Sequence, residues 1–195
     1  MIGTTIDRAC AIMGPERVRK PEDVERRMGT LYTPRQREHL QRGVPFLEKT
    51  LERCREESYV LFPGQMSRLP EVMRALGHFV HGQWWIEYPF PPVENRWYLM
   101  LEGSLPGSNL RNWEAQLALL DPDQAVPSVP AVVFGHHLFN EEPRIPIVKA
   151  SARCRGGRFA VMPSSEGVGI HDEGLGAGLP GVMVEWKPIG SPIWM

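Results

Sequence analysis

Long apolar runs are missing from this sequence, and so is charge of one sign. No stretch approaches the roughly 18 apolar residues that a membrane-spanning helix needs. The first residues, MIGTTIDRACAIMG, place Asp7 and Arg8 where a secretory signal would need an unbroken apolar core. With 22 Lys and Arg against 23 Asp and Glu, the formal charge is −1. That balance supplies no global field toward nucleic acid or an anionic membrane, and no local basic patch replaces it, so neither partner is expected. Cysteine is scarce as well. Cys10, Cys54 and Cys154 are odd in number and form no C-x-x-C, which argues against a disulfide framework and points to a reducing, cytoplasmic setting.

What the chain does have is punctuation. Glycine and proline contribute 19 residues each, interleaved with apolar runs, as expected of many turns and short elements. At 195 residues the chain is long enough for one sizeable core. We expect a single domain over 1–195, with a helical N-terminal region (1–58) and an α+β core (59–195).

The N-terminal third reads as short helices. PEDVERRMG opens on Pro21 and stops at Gly29, with Val24 and Met28 one turn apart. In TPRQREHLQRG, Thr33 is an N-cap, Gln36 completes a capping-box spacing and Gly43 closes the helix. FLEKTLERCREE puts Phe46, Leu47, Thr50, Leu51 and Cys54 on one face. Residues 1–60 carry 12 Lys or Arg and 10 Asp or Glu, a mixed solvated surface.

Beyond residue 58 the pattern changes. YVLFPG (59–64) and WYLMLEG (97–103) are short apolar runs of the kind that form buried strands. Ser67 is placed to cap a helix through LPEVMRALGHF. SNLRNWEAQLALLDP predicts a helix with Leu110, Trp113, Leu117 and Leu120 inward. PAVVFGHHLFN (130–140) suits helix or strand, and the 129/132/133/136 spacing favours helix. Four strand-like runs then follow, at 145–153, 158–165, VGIHDE and 182–189, linked by Gly-rich turns. The fold class expected is α+β: helices first, then a mainly antiparallel sheet with two or three packed helices.

Five features carry candidate chemistry. His78-x-x-His81 could converge on one ion, and with His136 and Glu173 would make a mononuclear site for a divalent metal. The next position on that helical face is Arg74, however, a cation that disfavours another cation. His136 shares its face with Val129, Val132 and Val133, which suits a core histidine better than a ligand. Gly176-Ala-Gly178-Leu-Pro-Gly181 spells G-x-G-x-x-G, but Pro180 interrupts it and the β-prone VMVEW follows where a dinucleotide site needs a helix. Pro163-Ser-Ser-Glu-Gly167 lacks the G-x-S-x-G elbow of a serine hydrolase. Cys154, between Arg153 and Arg155, has neighbours that could lower a thiol pKa, although a packed strand-end cysteine is the commoner case.

The fifth feature is aromatic. Phe79, Trp84, Trp85, Tyr88, Phe90, Trp97 and Tyr98 are seven of the chain's seventeen aromatics, within twenty residues and beside prolines. Such a concentration either covers a sheet as a lid or anchors a ligand or partner. The apolar tail SPIWM is expected to dock, on its own fold or on a twin subunit that would make a homo-oligomer.

Two resemblances attach to these segments. Thr33-Pro-Arg-Gln-Arg-Glu-His-Leu resembles the opening of helix-turn-helix regulators related to LuxR. The following VPFLEKTLERCREES departs from the basic recognition helix such regulators carry. From Thr50 through WYLMLEGS, NLRNWEAQLALL with Glu114-Ala-Gln116, and PAVVFGHHLF, the chain looks like a set of uncharacterised bacterial proteins, a likeness that implies a bacterial, cytoplasmic, single-domain protein and adds no assigned activity. The leading expectation is a non-catalytic protein that binds a partner protein or small ligand through Trp84, Trp85, Tyr88, Phe90 and Trp97, with no cofactor. The rival is a metal-dependent, hydrolase-like enzyme using the histidines with Glu173 or Asp172.

Overall fold

The computed structural model describes residues 3–76, 90–139, 152–153, 159–164, 167–172, 181–182 and 184–189. Among these are seven α-helices and eight strands, and the fold is α+β, as the sequence pattern predicts. Helices α1 (Ile6–Met13), α2 (Pro21–Met28), α3 (Pro34–Gln41) and α4 (Glu48–Glu56) come first. The Thr33 hydroxyl accepts from the Gln36 amide at 3.3 Å, and the Gln36 side chain accepts from the Thr33 amide at 2.9 Å. This is the reciprocal cap read from the sequence, and it fixes where α3 begins. Helix α2 ends at Gly29, whose φ of +66° is left-handed and suits glycine. In α4, Phe46, Leu51 and Cys54 are buried as expected, but Leu47 occupies the cap position and is 52% exposed.

Strands β1 (Tyr59–Pro63) and β2 (Trp97–Leu101) pair antiparallel, with Leu61 opposite Leu99 and Pro63 opposite Trp97. Every residue of both is buried, which explains their unbroken apolar runs. The first sheet has the order β1-β2-β8-β3 and is antiparallel throughout, with β3 spanning Gln124–Ala125 and β8 Glu185–Trp186. A second sheet has the order β6-β5-β4-β7: β4 is Ala152–Arg153, β5 Phe159–Ser164, β6 Gly167–Asp172 and β7 Gly181–Val182. Its β4–β7 pair is parallel, and the rest antiparallel. The 182–189 run expected as one strand is thus divided, with β7 in one sheet and β8 in the other.

Helix α5 covers Leu69–Leu76. Ser67 does not cap it. Its backbone pairs with Val93, and the Glu71 carboxylate instead accepts from the Arg68 amide at 2.8 Å. The expected helix through 108–121 is cut to α6, Trp113–Leu117, capped by the Asn112 side chain. Leu110, expected inward, lies outside α6 at φ +62° and is 78% exposed, and Leu117 is also exposed. Trp113 and Leu120 are partly buried against the core, as expected. Gln116 joins them, fully buried, with its side-chain N–H donating to the Ser108 carbonyl at 2.9 Å.

Helix α7 (Val129–Phe139) resolves the ambiguous run as helix. It is buried all round from Val129 to Leu138, as a helix apolar on every face must be. It packs on α5 and β5. Phe62 of β1 joins it to the sheet, stacked on Tyr98 at 5.4 Å and in ring contact with Phe134 and Phe139. Gly135 faces the same ring, and a Cβ there would come within 2.8 Å of Phe62. Helix α7 ends against the N-terminal helices: Arg27 Nε donates to the His137 carbonyl and Arg19 Nε to the Leu138 carbonyl. These are cations at a helix C-terminus, where the orphan carbonyls need donors. One buried apolar cluster runs from Ala9 to Trp186. No helix among the described residues is long and apolar enough to cross a membrane.

Candidate functional site

Of the aromatics singled out in the sequence, Trp97 is the one the structure places at a cleft. It opens β2, and its indole N–H donates to the Leu40 carbonyl at 3.1 Å, tying the strand to the last turn of α3. The ring is buried, forming the floor of a cavity of about 490 Å³. Val44, Pro45, Pro188 and Ile189 make its apolar wall, and His39, Arg42 and Arg96 supply polar groups. That size and mixed lining match a small-ligand site.

The walls are held by backbone. Thr4 and Val44 exchange N–H···O bonds of 2.9 and 2.8 Å, and the Thr4 hydroxyl donates to the Phe46 carbonyl at 2.8 Å. On the other side the Ile189 amide donates to the Pro45 carbonyl at 2.8 Å. The cleft is therefore built from four stretches far apart in sequence, near residues 3, 44, 97 and 189. The bonds from the Thr4 hydroxyl and the Trp97 indole are buried, where water does not compete for them.

Arg96 is the most constrained of the polar groups. Its Nη2 donates to both oxygens of Glu185 at 3.1 Å, its Nε donates to Glu94 at 2.7 Å, and its guanidinium lies 3.9 Å from the Tyr98 ring centre. Glu185 is buried in β8. Burial pulls the Arg96 guanidinium down, but the neighbouring Glu185 charge and its other acidic partners more than reverse this, so its pKa is raised and it stays charged. Burial pushes the Tyr98 phenol up to about 12, which keeps it neutral, and its oxygen accepts from the Glu94 amide at 3.0 Å. Arg42 pairs with Glu38 at 3.1 Å on the surface.

Several buried or paired groups titrate away from their ordinary values. Burial raises the Cys10 and Cys54 thiols and the Tyr32, Tyr59 and Tyr98 phenols. Acidic partners raise Arg8, Lys20, Arg53 and Arg96, and donors lower Glu25 and Glu48. The cleft offers apolar contact, a fixed indole and hydrogen-bond donors.

The other sequence candidates divide by position. Phe90 is half-buried and packs against the core. Trp84, Trp85, Tyr88, His78, His81 and Glu173 lie outside the described residues. His136 sits in α7 and is buried with it, in keeping with the core-histidine reading. Among the described residues no three His, Cys, Asp or Glu side chains come together to hold a metal ion. His171 and Asp172 are consecutive in β6, opposite Ala160 and Phe159 of β5. Sequence reasoning missed His39, Arg42, Arg96, Pro188 and Ile189. For Arg96 a signal existed in its adjacency to Trp97, whereas the pairing of Pro45 with Ile189 leaves no mark on local pattern. Compared with protein-family models, curated proteins and solved structures, the chain gives no match.

Proposed function

We propose that this chain is a non-catalytic binding protein whose ligand or partner segment seats over Trp97, with Trp84, Trp85, Tyr88 and Phe90 as further binding residues. On this reading it is a bacterial protein working in the cytoplasm, and it needs no cofactor. The observation that carries the reading is the cleft itself: a buried, hydrogen-bonded indole under a mouth of apolar and donor groups. A fixed indole at the edge of an apolar wall costs little conformational entropy on binding, the usual property of a binding anchor.

The test is a fragment screen read by amide and indole chemical shifts, on the wild type and on His39→Trp. His39 is exposed on the last turn of α3, so a tryptophan there fills the mouth without entering the core. Bound fragments should move the Trp97 indole and Ile189 amide resonances. His39→Trp should weaken them at least about tenfold, ~1.4 kcal/mol. Hits that leave the Trp97 indole unmoved, or that bind the filled variant equally well, would refute the proposal.

A further inference from the structure

A larger cavity, about 590 Å³, lies where the N-terminal helices meet the end of α7, and its lining is unlike that of the first. Among the described residues, three guanidinia (Arg19, Arg26 and Arg27) and one carboxylate, Asp23, line it together with the apolar Pro15, Val18 and Leu138.

The arginines are held in place by neutral groups as much as by charges. Arg19 donates through Nε to the Leu138 carbonyl at 3.1 Å and through Nη1 to the Glu16 carbonyl at 3.2 Å. Its guanidinium stacks 4.3 Å from the centre of the Phe139 ring. Among the described residues no carboxylate pairs with it. Arg27 is anchored by its Nε on the His137 carbonyl at 3.2 Å. Arg26 reaches Asp23 at 3.4 Å with 78% of its side chain exposed. Asp23 is itself engaged as a cap, accepting from the Lys20 amide at 2.9 Å. A planar fork that is stacked, half-buried and bonded only to carbonyls keeps its charge and its orientation, the condition for bidentate capture of an oxyanion.

We infer that this cleft binds a small phosphate-bearing molecule, with Arg19 and Arg26 as ligands to the phosphate and Val18 and Leu138 against the remainder. A cleft of about 590 Å³ has the size of a small-molecule site. Tetrahedral phosphate offers three oxygens to donors arriving from more than one wall, where a single carboxylate offers two. The site is independent of the Trp97 cleft, so either can fail without the other.

Calorimetric titration with inorganic phosphate and, separately, with phenyl phosphate at physiological ionic strength tests the inference. The variants are Arg26→Ala, whose exposed side chain makes loss of fold unexpected, and Arg111→Ala, an equal change of charge at an exposed residue that lines neither cavity. The wild type should bind at least one probe saturably at one site per chain. Arg26→Ala should weaken that binding about tenfold or more, ~1.4 kcal/mol, and Arg111→Ala should leave it within about twofold. Tighter binding of phenyl phosphate than of inorganic phosphate would add support for the apolar wall. Absence of saturable binding with both probes overturns the inference. So does an equal loss in both variants, which would mean diffuse attraction without a site.

Discussion

Replacing Arg96 by methionine keeps the apolar stem and takes away the guanidinium that meets both oxygens of buried Glu185. A buried ion pair broken from one side costs about 3–5 kcal/mol, because a charge stays behind without its counterpart. Arg96 is 24% exposed on its side chain and Glu185 only 3%, so water can reach one partner and hardly the other. That places the cost near the lower end, about 3 kcal/mol. For a chain of this length each kcal/mol moves the melting temperature by about 2–4 °C, giving a drop of about 6–12 °C. Glu185→Leu should fall by a similar amount. The double variant Arg96→Met/Glu185→Leu removes both charges and should retain only the loss of the cation–π contact with Tyr98, about 1 kcal/mol or 2–4 °C. Urea denaturation and calorimetry on the three variants measure the cycle. A double variant that falls by the sum of the singles would refute the reasoning, since it would mean that the two charges act independently.

Three other outcomes follow from the geometry. The Glu25 carboxyl accepts from the Tyr32 amide and pairs with Arg37, which hold its pKa below the ordinary 4.5. Its contribution is complete above the unfolded value and disappears as pH falls through the folded one. Glu25→Gln should therefore lower the melting temperature at pH 7 and flatten its decline between about pH 5 and 3, so parallel wild-type and variant curves would contradict this. Gly135→Ala gains about 1 kcal/mol of helix propensity but drives a Cβ against the Phe62 ring, where overpacking costs about 1–3 kcal/mol. Because that ring is locked between Tyr98, Phe134 and Phe139, we expect net destabilisation by urea titration, and a more stable variant would show that the ring can shift. Leu110→Gly should stabilise by about 1 kcal/mol, since an exposed leucine at φ +62° gains no burial for its strain. A lower urea midpoint would show that the side chain has a contact worth more.

Local signals were legible and long-range ones were not. The capping box at Thr33 and Gln36, the stop at Gly29 and the apolar runs of β1 and β2 act within a few residues, so composition alone reveals them. Helix α7 was partly legible: the 129/132/133/136 spacing favours helix, while a run of ten buried residues is apolar enough to suit a strand as well. The segment around Trp113 is half legible: its helical spacing predicts one inward face, yet of its four residues Trp113 and Leu120 pack on the core while Leu110 and Leu117 are exposed. A helix of five residues has too few turns to impose such a face, and Ser108 offered Gln116 a better partner. Alternation in 182–189 could say that strand was present but not that two sheets share it. The Trp97 cleft was half visible, in the tryptophan and not in its walls. Its floor is bonded to Leu40, 57 residues away, and no period or cap records a contact at that separation.

Strand β8 lies inside the first sheet, between β2 and β3, yet it is the last strand of that sheet in chain order. On the ribosome, Leu101 is made 84 residues before Glu185, a delay of roughly 4–17 s at the usual pace of synthesis. Through that interval β1 and β2 can pair, but the far edge of β2 has no strand to receive it, and β3 cannot substitute because it bonds to β8. An apolar edge of sequence WYLML exposed for seconds is a template for wrong pairing. A nascent chain stalled between these two strands should be a holdase client, and one released after Trp186 should not.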